Sequence, residues 1–125
     1  MLESIGTALL VILAITLLSV VLVAWRGEEM AKAYGGSKIA VVAGYLVGGF
    51  LLGCVAVWVY VWMAGRWPET APIIYLGLAI GIAMWLNIMA WRERRSASRT
   101  AVMIWIILNM VWAAGYGLLL PLVLR

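Results

Sequence analysis

The sequence predicts an all-α integral membrane protein in which four transmembrane helices form an up-down antiparallel bundle. The chain has 125 residues, of which 67% are hydrophobic and 11% are charged. A soluble globular domain carries about 25% charged and 45–50% apolar residues. A chain this apolar has too little polar surface to cover a water-soluble core. The composition therefore excludes a soluble globular enzyme and a disordered tail, and it indicates the lipid bilayer.

The charged residues fall in clusters, and the segments between the clusters carry no charge. These segments are residues 5–25, 39–65, 70–91 and 100–124. Each has about 20 residues or more, which is the length of helix that crosses roughly 30 Å of hydrocarbon. Their apolar runs are continuous rather than alternating, which argues against a β-barrel. We therefore expect one membrane domain over residues 1–125, with helices at about residues 4–34, 38–64, 71–91 and 99–121.

The first helix is expected to begin at Ser4, whose side chain can cap it. It is interpreted as a retained helix, because the start at Glu3 is acidic and the apolar stretch is too long for a signal peptide. It is expected to continue past the membrane, since Glu28 and Lys32 have the i, i+4 spacing of a helical ion pair. The two glycines at residues 35–36 then provide a left-handed stop.

The other three helices also carry start signals. Ser37 is expected to cap the second helix. Thr70, or the residue after it, is expected to cap the third helix, with Pro72 in the first turn, where a missing N–H costs little. Ser96 or Ser98 is expected to cap the fourth. Because the connections are short, helices adjacent in sequence should be antiparallel neighbours in space.

Hydroxyl groups occur within the first apolar segment at three positions: Thr7, Thr16 and Ser19. Serine and threonine side chains in a helix can donate to a carbonyl of the preceding turn. We therefore expect these hydroxyls to bond to their own helix.

Short sequence matches raise the question of an internal repeat. Ala-Trp-Arg at residues 24–26 recurs at 90–92, and residues 38–41 are faintly echoed by 99–102. Two repeated helical hairpins would produce this pattern. The alternative is that a chain of such biased composition matches itself by chance.

The basic residues are distributed unevenly between the loops. With four spans, the first and third loops share one side of the membrane, and they hold most of the basic residues: Arg26, Lys32, Lys38, Arg92, Arg94, Arg95 and Arg99. The opposite side holds only Arg66 and Arg125. The positive-inside rule places loops 26–38 and 92–99 in the cytoplasm and both termini outside. We expect a multi-pass protein of the cell (inner) membrane with no nucleic-acid partner, because a short loop between two membrane helices is a poor platform for nucleic acid.

The residues that are missing limit the chemistry. The chain has no His, no Asp and a single cysteine, Cys54, so an internal disulfide is impossible. The four charge-free segments contain no Asp, Glu, Lys, Arg or His, the residues that mark proton and ion pathways in membranes. A nucleophile–base pair is absent as well. We therefore expect a non-enzymatic protein with no catalytic residue, metal site or cofactor.

Glycines four residues apart recur in the second and third helices: Gly44, Gly48, Gly49, Gly53, Gly77 and Gly81. Small residues at this spacing form a groove in which another helix backbone can approach closely. We interpret these glycines as helix-packing positions. Packing within one chain and packing between protomers both fit the spacing.

One face of the fourth helix carries aromatic and amide side chains at i, i+4, i+7 and i+11: Trp105, Asn109, Trp112 and Tyr116. The third helix adds Asn87 and the second adds Trp58. These six residues are the candidate ligand-binding set, forming a cavity that could accept an amphipathic or cationic ligand through cation–π contacts. The alternative is that Asn109 bonds another helix and that the rings pack in the core or face lipid.

Two functions fit these observations. The first is a small packing or interaction subunit, surrounded by membrane lipids, that self-associates into a homo-oligomer or joins a larger membrane complex. The second is a small oligomeric transporter, channel, or lipid- or amphipathic-ligand-binding protein with an uncharged cavity lined by aromatic and Asn residues.

Overall fold

The computed structural model describes residues 2–95 and 98–124, and this part of the chain is helical with short turns. The α-helices are α1 (Leu2–Trp25), α2 (Gly27–Tyr34), α3 (Lys38–Arg66), α4 (Ala71–Arg92), α5 (Arg99–Ala114) and α6 (Leu120–Val123). A 3₁₀ turn, Glu93–Arg95, follows α4, and a π-helical turn, Gly115–Leu119, joins α5 to α6. Four segments are long and apolar enough to span a membrane: Glu3–Trp25, Lys38–Arg66, Ala71–Arg92 and Arg99–Val123. The predicted all-α fold with four potential spans is confirmed.

The chain bends at Arg26, so the prediction of one continuous helix to residue 34 is wrong. Arg26 has φ −121° and ψ 45°, outside the helical region, and it separates α1 from α2. The bend lays the amphipathic α2 against α3 and α5, where Met30 and Ala31 are buried. Burial of this apolar face accounts for the break. Ser4 lies inside α1 and is not its N-cap, which is a second correction.

Serine caps start α3 and α5. The Ser37 hydroxyl accepts a hydrogen bond from the Ala40 N–H, and the Ser98 hydroxyl accepts one from the Ala101 N–H, each at 3.2 Å. The two helices therefore begin in the same way. Ser96, the other candidate cap, lies outside the described residues.

Two other helix ends follow their sequence signals in part. Gly35 ends α2 with φ 71°, the left-handed conformation that was predicted. Pro72 occupies the first turn of α4 as expected. Thr70 is at the N-cap of α4, but its side chain makes no capping hydrogen bond.

Buried side chains form one cluster at each end of the bundle. The first contains Ala8, Ile12, Ile15, Tyr60, Met63, Ala71, Tyr75, Tyr116 and Leu120. The second contains Val23, Met30, Ala31, Val41, Ala101, Ile104 and Leu108. This second cluster lies where α2 packs beside the first turns of α3 and α5. We call that end of the molecule, with residues 26–38, 92–95 and 98–99, the basic end.

The fourth span is not a regular α-helix throughout. A Cβ atom at Gly115 would lie 2.4 Å from Ile15 Cδ1, and one at Gly117 would lie 3.1 Å from Ala79 Cβ. The two glycines therefore let the π turn approach α1 on one side and α4 on the other. Pro121, just beyond, has no N–H to donate to the preceding turn. A π turn accommodates such a local interruption without ending the helix.

Candidate ligand-binding cavity

A cavity of about 740 Å³ lies at the basic end, between α3, α4 and α5, with the end of α2 at its mouth. We call it the aromatic cavity. Its chemically distinctive lining consists of the rings of Tyr34, Tyr45, Trp105 and Trp112, the amide of Asn109 and the carboxylate of Glu93. Gly44 and Gly48 form part of the α3 wall. Small-molecule sites typically occupy about 300–1,000 Å³, so the volume suits a ligand of that class.

Three rings at the mouth form a hydrogen-bonded cluster. The Trp105 indole N–H donates to the Tyr34 hydroxyl at 2.8 Å, and the hydroxyls of Tyr34 and Tyr45 share a hydrogen bond. Tyr34 meets Tyr45 and Trp105 edge to face, with ring centroids 6.0 and 5.8 Å apart. Edge-to-face pairs are a favoured aromatic geometry. Because the rings come from α2, α3 and α5, the cluster joins these three helices around the opening.

The floor of the cavity is tied to α1 through Ser19. Its hydroxyl accepts a hydrogen bond from the Trp112 indole N–H at 2.8 Å and donates to the Ile15 carbonyl, also at 2.8 Å. Ser19 is fully buried. Trp112 is therefore held in one orientation by a group on another helix.

The predicted bonding of the α1 hydroxyls is confirmed at two of three positions. Thr7 donates to the Glu3 carbonyl at 2.9 Å and Ser19 to that of Ile15. The buried Thr16 hydroxyl makes no hydrogen bond of ordinary geometry to its own helix; it lies beside the Tyr116 hydroxyl, with which it interacts. The Tyr116 hydroxyl is likewise buried without a hydrogen bond of ordinary geometry among the described residues.

Two asparagines connect α4 to α5. The Asn109 amide donates to the Asn87 side-chain oxygen at 3.0 Å, and the Asn87 amide approaches Met110 Sδ at 3.8 Å. Asn109 also lines the aromatic cavity, whereas Asn87 lies behind it. Asn109 thus joins two helices and, at the same time, presents a polar group to the cavity.

A second cavity of about 230 Å³ adjoins the first and continues between α3 and α4 toward the opposite end. The two cavities share Leu86, Asn109 and Trp112. The other lining residues of the second cavity are mostly aliphatic: Leu52, Val55, Ala56, Val59, Leu78, Ala79, Ile82, Ala83 and Ala113, together with Tyr75 and Tyr116. We call it the apolar cavity. The pair forms a groove with one polar, aromatic half and one apolar half.

The structure brings four of the six predicted ligand-binding residues to this groove. Trp105, Asn109 and Trp112 line the aromatic cavity, and Tyr116 lines the apolar cavity. Asn87 contacts the groove only through Asn109. Trp58 is 67% exposed on the outer surface of α3 and lines neither cavity.

Among the aromatic and charged lining residues, sequence reasoning missed three: Tyr34, Tyr45 and Glu93. Tyr34 and Glu93 lie outside the charge-free segments, where no cavity was expected. The available signal was α2 itself, because a short amphipathic helix that ends at a glycine must bury its apolar face against a neighbour. Tyr45 has no comparable signal, since its direction depends on how α3 is rotated.

The predicted packing glycines fall into two groups. Gly49 and Gly53 face α1: a Cβ at Gly49 would lie 3.4 Å from Thr16 Cγ2, and one at Gly53 would lie 2.5 Å from Ile12 Cγ2. The remaining four have no atom within 4 Å of such a Cβ among the described residues: Gly44, Gly48, Gly77 and Gly81.

Comparisons with family models, curated proteins and solved structures found no match to this chain. In the described part of the chain, no three His, Cys, Asp or Glu side chains come together as a metal site would need.

Proposed function

We propose that this chain is a multi-pass membrane protein that binds an amphipathic small molecule in the groove between α3 and α4, as a transporter or a lipid-binding module. The observation that supports this proposal is that the two cavities adjoin and share lining residues. The aromatic cavity offers rings, an amide and a carboxylate, and the adjoining apolar cavity offers aliphatic side chains. A molecule with a polar head and an apolar body matches both halves.

The proposed topology has four spans that alternate in direction as an up-down bundle. Tyr34 and Glu93 line one cavity, which supports placing residues 26–38 and 92–99 at a common end. By the positive-inside rule this basic end is cytoplasmic, with both termini outside, in the cell membrane. The matching serine caps of α3 and α5 fit an origin from two repeated hairpins.

The lining supports binding rather than catalysis. The groove holds phenol, indole, amide and carboxylate groups, and the chain has no His to serve as a base for a hydroxyl nucleophile. The indoles and the Tyr34 hydroxyl are engaged in hydrogen bonds that hold the rings in place. A preformed cavity of this kind lowers the cost of ordering side chains when a ligand binds.

Filling the aromatic cavity tests the proposal. Gly48→Leu places a side chain into the cavity wall where a Cβ meets no neighbouring atom, so the fold should survive. Gly77→Leu is the matched control, because Gly77 also has open space but lines neither cavity. The neutral amphiphile monoolein is titrated, and bound copies are counted by native mass spectrometry.

We expect the wild type and Gly77→Leu to retain one monoolein per chain. Gly48→Leu should lose at least about tenfold in affinity, which corresponds to about 1.4 kcal/mol. Equal retention by all three proteins would contradict the proposal, because the amphiphile would then be bound elsewhere on the surface.

A second candidate function is a packing or interaction subunit. Gly77 and Gly81 lie one turn apart on α4, both are exposed, and neither has a neighbour within 4 Å of a Cβ position. This open glycine pair could receive a helix of a second copy or of a larger complex. The same mass spectra also show the oligomeric state. A homo-oligomer that dissociates in Gly77→Leu would support this candidate. An oligomeric state that Gly77→Leu leaves unchanged would count against it.

A further inference from the structure

We propose that the groove selects neutral amphiphiles whose head carries hydroxyl groups, and that Asn109 is the residue that recognises a hydroxyl. This inference rests on the proposed function, because it names the class of ligand for the same site. It is carried by the place of Asn109 in the groove, by the direction of its amide and by the hydrogen bonds that the neighbouring groups already make.

Asn109 lies where the polar half of the groove meets the apolar half. The two cavities share two side chains with hydrogen-bonding groups, Asn109 and Trp112. The Trp112 indole N–H is already donated to the Ser19 hydroxyl. The head of an amphiphile that fills both halves joins its apolar body at this point, so its first polar atom lies beside the Asn109 amide.

The direction of the Asn109 amide follows from its neighbours on α4 and α5. The Met110 sulfur can accept a hydrogen bond but not donate one, so the Asn87 nitrogen, 3.8 Å away, is the atom that faces it. The Asn87 oxygen then faces Asn109 and accepts a hydrogen bond from its nitrogen at 3.0 Å. The described residues give no donor to the Asn109 side-chain oxygen. This oxygen is therefore an open acceptor for a ligand O–H.

The ring cluster at the mouth adds one donor. The Trp105 N–H and the hydroxyls of Tyr34 and Tyr45 hold three protons but make two hydrogen bonds with one another. One phenolic O–H is therefore left for a ligand. A hydroxyl both donates and accepts, whereas an ether or a carbonyl only accepts and an ammonium only donates. A head with two hydroxyls can therefore donate to Asn109 and accept from the phenol.

The rest of the described lining gives no reason to expect a charged head. No described residue of either cavity is Lys or Arg. Glu93 is exposed at the mouth and already engaged within the chain, so its carboxylate is not an open acceptor for the head. In the apolar cavity, Tyr75 donates to the Ala56 carbonyl at 3.3 Å, and the Tyr116 hydroxyl lies beside that of Thr16. This half therefore suits the apolar body.

The test compares monoolein with its dimethyl ether, which keeps the acyl chain and the glyceryl ester but has no O–H group. Each lipid is titrated into the full-length protein in lauryldimethylamine oxide, because a sugar-based detergent carries hydroxyls and would itself compete. Bound copies are counted by native mass spectrometry. We expect the wild type to bind monoolein about three- to tenfold more tightly than the ether, the range of one net hydrogen bond.

Two leucine variants locate the preference. Asn109→Leu removes the acceptor and should abolish the preference, by weakening monoolein and leaving the ether unchanged. The matched control is Asn87→Leu, which breaks the same hydrogen bond from a residue that lines neither cavity. It should keep most of the preference, because Asn109 retains its oxygen. Circular dichroism confirms that each variant is folded, and the comparison of the two lipids on the wild type needs no substitution.

The outcomes separate the two proposals. If the wild type binds both lipids equally and Gly48→Leu weakens both, the groove binds amphiphiles without selecting hydroxyls, and this inference is overturned alone. If the preference persists in Asn109→Leu, the ether is excluded by its size and the inference is also overturned. If neither lipid is retained, both proposals fail together.

Discussion

Ser19 holds two hydrogen bonds at a fully buried position on α1, one to its own helix and one from Trp112. Thr16, one turn earlier, is as deeply buried, but its hydroxyl lies beside that of Tyr116 and makes no hydrogen bond of ordinary geometry within the described chain. The two residues therefore allow a comparison of a well-bonded and a weakly bonded buried hydroxyl. Leaving a buried donor without a partner costs more than removing both partners.

We predict that removing the Ser19 hydroxyl costs more stability than removing the Thr16 hydroxyl. Ser19→Ala leaves the Trp112 N–H without its acceptor and should destabilise the protein by about 1–2 kcal/mol. Thr16→Val removes a hydroxyl whose one polar neighbour is the Tyr116 hydroxyl, without a hydrogen bond of ordinary geometry, and should change stability by less than about 1 kcal/mol. Unfolding by sodium dodecyl sulfate, followed by circular dichroism, measures both. Equal destabilisation by both variants would show that the Ser19 bonds contribute nothing specific.

Individual site residues were predictable where helix periodicity determined them. The stripe on the fourth helix brought Trp105, Asn109 and Trp112 to one cavity, because side chains at i, i+4 and i+7 share a face whatever packs on it. Trp58 was not predictable in this way. Its helix is apolar on all sides, so periodicity does not say which face turns inward, and Trp58 is exposed.

At the scale of the element, α3 uses its glycines in two different ways. Gly53 admits Ile12 and the Tyr116 hydroxyl so closely that a Cβ would lie 2.5 and 2.9 Å from them. Gly44 meets nothing within 4 Å. Ile12 is β-branched and fully buried, so its methyl groups cannot move aside freely. The glycines therefore share one spacing but differ in environment: Gly53 lies in a tight helix contact, and Gly44 lies in an open wall.

We predict that Gly53→Ala destabilises the protein by about 1–3 kcal/mol, because it overpacks the contact between α1 and α3. Gly44→Ala should be neutral or stabilising by up to about 1 kcal/mol, since alanine favours the helix and meets no neighbour. Thermal unfolding in detergent compares the two variants. A loss of stability in Gly44→Ala as large as in Gly53→Ala would contradict the packing described for α3.

The bend between α1 and α2 is a helix boundary that could not be predicted from the sequence. The spacing of Glu28 and Lys32 and the stop at Gly35 correctly indicated a helix, but the single glycine after Arg26, at residue 27, is too weak a signal to predict the break. The break depends on burial of Met30 and Ala31 against α3 and α5, a tertiary effect. It also places Tyr34 over the cavity, so one missed boundary concealed part of the candidate site.

For the whole molecule, the number of spans was predictable because the bilayer fixes helix length and charged residues mark the ends. The cavity was not predictable as a shape. It exists because α2 folds back at the basic end and because α3, α4 and α5 leave a space between their side chains there. Neither residue spacing nor composition predicts how far apart the helices lie at the cavity.

The proposed orientation makes a whole-molecule prediction. Cys54 is the only cysteine, so Cys54→Ala gives a background to which single cysteines can be added. Lys32→Cys on α2 and Glu69→Cys in the turn between α3 and α4 introduce exposed thiols. In intact cells, a membrane-impermeant maleimide should label only Glu69→Cys, and permeabilised cells should label both. Labelling of Lys32→Cys alone in intact cells would invert the topology.

The groove as a binding site is the central claim, and photochemical labelling tests it most directly. A long-chain alcohol with a diazirine in its chain is added to the protein in nanodiscs, irradiated, and its attachment sites are mapped by peptide mass spectrometry. We predict labels concentrated on groove residues such as Leu86 and Trp112, and their loss in Gly48→Leu but not in Gly77→Leu. Labels spread evenly over outward side chains such as Leu10 and Val21, unchanged by Gly48→Leu, would contradict the claim.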